Sequence, residues 1–495
     1  METALASLKE RIAEIHDLDR TSSLLGWDQQ VMMPPGGAGV RAEQLATLER
    51  LAHDALTSDE IGRLLDELAP HEDSLDYDSD DASLIRLVRR EWEKARRVPT
   101  ELRAEMTRAA SLAMPVWVKA RQESDFSQFL PALRANFELR RRYVECFDDY
   151  DEPYDVLLDD FEPGMKTADV RAVFDRLKAE QVPLVAAARQ DGDRPVRGAT
   201  FPLEGQKAFE LKVIERFGYD PSEWRLDTAV HPFASSIAIG DIRLTTRYVE
   251  DNLDGLFGTM HETGHGLYEN GVSRDLERTP LAHGASLGLH ESQSRMWENM
   301  VGRSLPFWRH FYPQLQATFP EALAATSLDD WYRSVNWVAP SLIRVEADEA
   351  TYNLHIIIRF ELEQELLADS IDLEELPEIW NQRMRDYLGV EPPNDALGVL
   401  QDMHWAVGAI GYFSTYALGN VISGQLWERV TADIPDLYDQ FEQGEFAALA
   451  GWLQENLWRH GRKFMPRELI ERSTGSGLDP EPYLRYLRGK YPLAA

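Results

Sequence analysis

The chain has a single cysteine, Cys146, among 495 residues, so no disulfide can form within it and an oxidising compartment gains no support. It contains no run of about 18 apolar residues, which argues against a transmembrane helix. No Gly/Ser-rich or Pro-rich linker divides it, and no internal repeat or low-complexity tract stands out. Although the length would accommodate several domains, the reading is therefore one catalytic unit over 1–495. Residues 3–18 lack the basic stretch and apolar core of a secretory leader, and a cytoplasmic location is expected. Lysine is scarce: only 9 of the 52 basic residues are lysine, and none lies between Lys212 and Lys463, so a positive anchor in that part of the chain must be arginine. Positive charge is deficient as a whole. A net charge of -33 and a pI near 4.8 remove the footprint that nucleic acid or an anionic membrane requires.

The most informative residues present are His261-Glu262-Thr263-Gly264-His265. Histidines four positions apart lie one above the other on a helix face, so both rings can reach one ion, while Glu262 beside them can act as a base. Leu253, Leu256, Phe257, Met260, Gly264 and Tyr268 recur at three- and four-residue steps, the pattern of a helix with one buried face. Asp251 or Asn252 would cap its start and Gly271 its end. The alternative is a pair of core histidines satisfied by hydrogen bonds.

A peptidase zinc takes three protein ligands and keeps a fourth position open. Glu291, in His290-Glu291-Ser292-Gln293 at the head of a second helical segment running to Val301, is the candidate for the third. A third-histidine pattern fails, because Tyr268 and Gly271 stand where its glycine and last histidine belong. Glu269 and Glu298 compete with Glu291 and read as solvated or supporting groups. The position four residues after Glu291, where many such sites carry a supporting aspartate, is Arg295; Asp402, Glu298 or a backbone carbonyl are the substitutes.

Six ordered motifs then carry a resemblance: His231-Pro232-Phe233, Asp241-Ile242-Arg243-Leu244-Thr245, the HExxH residues, His290-Glu291-Ser292-Gln293, Ile343-Arg344-Val345-Glu346-Ala347-Asp348, and the run 398–405 ending His404-Trp405. Trp27-Asp28-Gln29 and residues 32–38 add to them. The chain resembles the thermostable carboxypeptidase family, metallopeptidase family thirty-two, over almost its whole length, with Ser414 a departure where proline is more usual. The resemblance implies His261, His265 and Glu291 as metal ligands and Glu262 as catalytic base. It also implies release of single residues from peptide C-termini, a mostly helical fold with a deep groove, and a homodimer. The cofactor expected is one Zn2+ per chain, with Co2+ an acceptable substitute because both take the same ligands.

In chemical terms zinc would polarise the scissile carbonyl and acidify water, and Glu262 would take the proton and pass it to the leaving amine. His404 and Tyr412 are the candidate donors to the developing oxyanion, with Tyr416 the rival of Tyr412. Arg344 is the first candidate for holding a substrate's terminal carboxylate and Arg243 the second. Pairing with Asp241, Glu346 or Asp348 is the structural alternative for both. His231, before Pro232, either lines the substrate cleft or closes a turn. A zinc endopeptidase or dipeptidase on the same scaffold is the alternative activity.

The fold expected is mostly α: a large, two-lobed helical peptidase with a deep active-site cleft. Its helical N-terminal part is placed at about 1–200 and its zinc and substrate part at about 225–420. Helical periodicity marks residues 5–18, 41–52, 83–97, 102–122 and 169–188. Strand signal is confined to 228–248, where Ala229-Val230, Ile237-Ala238-Ile239, a turn at Gly240-Asp241, and Ile242, Leu244, Thr246 and Tyr248 predict a small hairpin beside the zinc helix. Its edge is placed to pair with an extended peptide.

Overall fold

The periodic segments fold as the long helices Glu2–Val31, Ala38–Leu56, Asp80–Arg97, Thr100–Glu123 and Thr167–Ala188. They belong to a computed structural model that describes residues 2–190, 192, 194–196 and 198–491. Local chemistry sets their ends: the Ser79 hydroxyl accepts from Ala82 N–H at the start of one helix, with Asp80 and Asp81 in its positively polarised first turn. Among the described residues no helix is long and apolar enough to cross a membrane.

Buried apolar side chains fall into two clusters. In the smaller, Leu8, Ile12, Ile61, Leu65, Leu68, Ile85 and Val88 from the first helices close on Ile239 and on Val272, Leu276, Leu281 and Ala282, the last four following the HExxH segment. The larger begins at Val98 and takes in the core from there to Tyr491.

The predicted hairpin is present, formed by β2 (Ala234–Ala238) and β3 (Asp241–Thr246), antiparallel and turning at Gly240. One part of the expectation is corrected. Ala229 and Val230 lie outside the strands, Val230 being 75% exposed, and a different strand, β1 (Trp224–Thr228), pairs parallel with β3 to give the order β1-β3-β2. Arg225 and Asp227 weaken the strand signal of β1, and a parallel partner leaves no tight-turn signature. β2 is an edge strand, but its Ser236 carbonyl already accepts from Arg20 of the first helix.

Ile242 and Leu244 of β3 are fully buried against the HExxH helix, Asp254–Gly271. That helix is preceded by Leu253, which makes no side-chain cap, and followed by Val272, so the expected caps are displaced by one residue: Asn252 accepts from Asp254 N–H one position before the cap, and Gly271 is the last helical residue. It packs on the helix Leu287–Arg295, which runs into a π-helical turn, Met296–Val301, and which packs in turn on the helix Ser414–Asp433. Glycine permits this closeness. A methyl at Gly264 would stand 2.6 Å from the Gln293 carbonyl oxygen, and one at Gly419 would stand 2.5 Å from Glu291 Cγ.

Gly264→Ala and Gly419→Ala are each expected to cost about 1–3 kcal/mol through overpacking. Gly258→Ala, in the same HExxH helix but with nothing nearby, should instead stabilise by about 0.5–1 kcal/mol. Urea unfolding of the three variants measures the difference, and equal effects would contradict the packing described.

Candidate active site

Helix geometry delivers the pair anticipated by the motif. His261 Nε2 and His265 Nε2 lie 3.4 and 3.5 Å from the same oxygen, Oε2 of Glu291. The ligand atoms of the three side chains all fall within 4.8 Å of one another, so they can hold a metal ion. Two borderline nitrogens and one carboxylate oxygen are the donor chemistry that zinc accepts. A tetrahedral ion with bonds near 2.0–2.1 Å separates its donors by about 3.3 Å, close to the spacing found here.

The acidic groups here are buried but matched. Burial alone would raise the Glu291 carboxyl, yet Arg295 and the two histidines outweigh it and hold it well below the ordinary range. Arg295 donates from Nε to Glu291 Oε1 at 2.7 Å, and the Ser294 hydroxyl donates to Oε2 at 2.9 Å. Glu298, carried on the π-helical turn, lies 3.0 Å from His261 Nδ1 and receives Arg295 and Arg303 at 3.3 Å each. Against the opposing effect of burial, Arg295 and His261 bring its carboxyl down to about 2. Glu298 is thus the carboxylate behind His261. Glu269 lies outside the converging donors and bonds to His283, His290 and Gly284.

The two rings differ. Burial opposes protonation of both, but Glu291 and Glu298 reverse that for His261, whereas His265 falls to about 4. Glu262, 7% exposed, goes the other way: burial lifts its carboxyl to about 7, with Glu291 and Glu298 reinforcing the rise and His261 opposing it. A carboxyl poised there can both take and return a proton near neutral pH.

The remaining predicted residues fall into two groups. His404, Tyr412 and Tyr416 come together: His404 Nε2 is 3.2 Å from the Tyr416 hydroxyl, and its ring centroid is 5.3 Å from that of Tyr412. The Glu291 charge reaches both tyrosines and, after burial, helps raise them. Burial lowers His404 to about 4 and leaves its Nδ1 without a hydrogen-bond partner among the described residues.

Arg344, Arg243 and His231 are apart from one another in their bonding. Arg344 is buried, with Nε and Nη2 on Asp402 at 3.1 and 2.7 Å and Nη1 on the Tyr352 hydroxyl at 2.9 Å. Its partner is neither Glu346 nor Asp348. Arg359 shares Asp402, donating from Nε at 2.7 Å, which places two guanidiniums on one carboxylate and explains why Asp402 is unavailable to the histidines. Arg243 is held by Asp241 at 2.8 and 3.0 Å and covers the Trp27 ring at 4.4 Å, joining two of the resemblance motifs. His231 is exposed in the bend before β2.

A histidine pair with its own carboxylate, a third donor from the next helix and a neighbouring acid poised near neutrality are the equipment of an HExxH metallopeptidase. The chain belongs to the carboxypeptidase Taq (M32) metallopeptidase family, which matches residues 7–491. It is 41% identical to thermostable carboxypeptidase 1 of Thermus thermophilus, covering 99% of this chain and 98% of that protein. Carboxypeptidase 1 of Bacillus subtilis is 39% identical, covering 95% of this chain and 94% of its own. The crystal structure of the M32 carboxypeptidase from Deinococcus radiodurans R1 superposes with a TM-score of 0.96 at 41% identity, covering 99% of both chains. This protein is accordingly a metallocarboxypeptidase, a peptide hydrolase that works with a divalent metal.

Asp402→Asn would leave Arg344 and Arg359 buried without a counter-charge and should cost about 3–5 kcal/mol in urea unfolding; a loss under 1 kcal/mol would show the triad to be dispensable. A pH dependence also follows. His16 and His404 are both lowered to about 4 from 6.5 by burial. The unfolded chain therefore binds more protons between those values, and their contribution is complete above pH 6.5 and lost as pH falls towards 4. Compared with the parent, metal-free His404→Gln should lose less of its urea midpoint, or gain more, as pH falls from 6.5 to 4, because one depressed histidine has been removed from the balance; an identical slope would contradict the assignment.

Proposed function

We propose that this chain is a zinc carboxypeptidase in which His261 Nε2, His265 Nε2 and Glu291 hold one Zn2+, Co2+ being an acceptable substitute, and which releases single residues from free peptide C-termini. The observation that carries this reading is the pair of 3.4 and 3.5 Å separations around Glu291 Oε2, matching the donor spacing of a tetrahedral ion. When bound, the cation supplies Lewis-acid polarisation of the scissile carbonyl and lowers the proton affinity of water.

The protein's own groups do the rest. Glu262, raised to about 7 by burial, takes the proton from attacking water and returns it to the departing amine. His404 and Tyr412 supply hydrogen bonds to the oxyanion, with Tyr416 holding His404 from behind. Arg344, Arg243 and His231 receive the substrate's terminal carboxylate and flanking backbone. Asp402 and Tyr352 hold Arg344, and Asp241 holds Arg243, each through only part of the five guanidinium N–H groups, which leaves donors for a carboxylate, while His231 is exposed.

The same reading takes 1–495 as one catalytic unit of two lobes, helical over about 1–200 and carrying the site over about 225–420, acting as a cytoplasmic homodimer. The undivided unit is supported by the smaller core, in which the first helices close on Ile239, Val272, Leu276, Leu281 and Ala282 from the middle of the chain; the homodimer rests on the family resemblance.

Glu262→Gln should retain zinc and lose about 10²- to 10⁴-fold in kcat, measured by mass spectrometry on paired free and C-terminally amidated peptides. The parent should shorten only the free peptide, one residue at a time. Parental turnover by Glu262→Gln, or internal cuts in both peptides, would defeat the proposal.

A further inference from the structure

His261 and His265 are supported in different ways. Behind His261 stands a carboxylate, Glu298. Behind His265 stands another imidazole: His265 Nδ1 is 2.7 Å from His290 Nδ1, and His290 Nε2 is 2.8 Å from Glu269 Oε1. We infer that Glu269 and His290 are positioning residues for His265, Glu269 fixing the tautomer of His290 and His290 accepting the Nδ1–H of His265, so that the His265 Nε2 lone pair is aimed at the cation.

With both imidazoles neutral, hydrogen-bond direction leaves one consistent arrangement. Glu269 faces the Gly284 N–H at 2.9 Å and two imidazole nitrogens, His290 Nε2 at 2.8 Å and His283 Nδ1 at 3.1 Å, with the Arg20 guanidinium Nη2 4.0 Å away. An oxygen pair so surrounded accepts only, so His290 must carry its hydrogen on Nε2. The Nδ1 of neutral His290 is then bare, and a 2.7 Å approach by His265 Nδ1 is attractive only if that nitrogen carries a hydrogen. The nitrogen left bare on His265 is Nε2, the one facing Glu291. Reversing the chain would set the His290 Nε2 lone pair against Glu269 and place a hydrogen on His265 Nε2, where a metal needs a lone pair.

Packing holds the intermediate ring in place. A methyl at Gly284 would stand 2.7 Å from His290 Cδ2, and the Tyr268 ring lies 5.2 Å from that of His290 on centroids. Tyr268 is itself pinned, its hydroxyl accepting from Ala285 N–H at 3.1 Å. Metal-ligating imidazoles usually pass their second N–H to a carboxylate, carbonyl or water; here the carboxylate acts one ring removed. Glu269 is placed for this by lying one turn beyond His265 on the same helix, and His290 by preceding Glu291.

The inference rests on His265 being a ligand, as proposed above. Zinc affinity, by chelator competition at fixed pH, is measured for the parent, Glu269→Gln, His290→Leu, His290→Asn and His265→Ala. Glu269→Gln and His290→Leu should bind zinc about 10- to 100-fold more weakly, with His290→Asn recovering part of the loss through its side-chain carbonyl. Nitrogen-15 NMR of the unsubstituted, metal-free protein should find His265 with its hydrogen on Nδ1, a readout independent of any variant's folding. Affinity within twofold of the parent for His290→Leu, alongside loss of binding by His265→Ala, overturns this inference alone, as does a hydrogen on His265 Nε2. Parental affinity in His265→Ala overturns the ligand assignment and this inference together.

Discussion

A buried, ionised carboxylate between two imidazoles is the constraint around which this protein is arranged. Glu291 is 5% exposed, Glu262 and Glu269 are buried close by, and Glu298 is largely so. Uncompensated, four such acids would neutralise by binding protons. Arg295 prevents this for two of them, bonding Glu291 and Glu298 while its guanidinium lies over the Tyr352 ring at 4.2 Å. Tyr352 accepts from Arg344, which pairs with Asp402, two residues before His404. A continuous polar network therefore joins the donor cluster to the segment that carries the candidate oxyanion donors. Glu262 is the exception: it has no guanidinium, and its carboxyl is lifted rather than lowered.

Backbone contact fixes that geometry. The helices bearing the two histidines, Glu291 and Tyr416 meet at Gly264 and Gly419, where the facing backbone or side chain leaves no space for a methyl. The sheet backs the histidine helix from the other side, with Thr259 reaching Thr246 at 2.7 Å. Side chains aimed at one point from three helices need such rigidity, because a displacement of a fraction of an ångström is felt at the reacting atoms.

Much of this was legible in residue spacing. The four-residue step from His261 to His265 holds because an α-helix repeats every 3.6 residues, and Glu291 could be singled out because its segment reads as the next helix. Glu298 was harder to assign because it sits on a π-helical turn, where the ordinary period no longer says which side chains share a face. Asp402 could not be matched to Arg344 at all: 58 residues separate them, and the nearer acids Glu346 and Asp348 were the local candidates. Asp348 instead accepts backbone N–H groups from Ala339, Ala350 and Thr351. β1 was missed because its parallel pairing to β3 leaves no short-range signature. Periodicity thus revealed what each helix could present, and long-range ion pairing lay beyond it.

The assignment of the metal ligands is tested most directly by crystallography of zinc-loaded protein with anomalous scattering at the zinc edge. It predicts one strong peak per chain, bonded to His261 Nε2 and His265 Nε2 at about 2.0–2.1 Å and to a Glu291 oxygen at about 2.0–2.2 Å. A peak elsewhere, or one at these histidines with Glu291 bound only to Arg295, would contradict it.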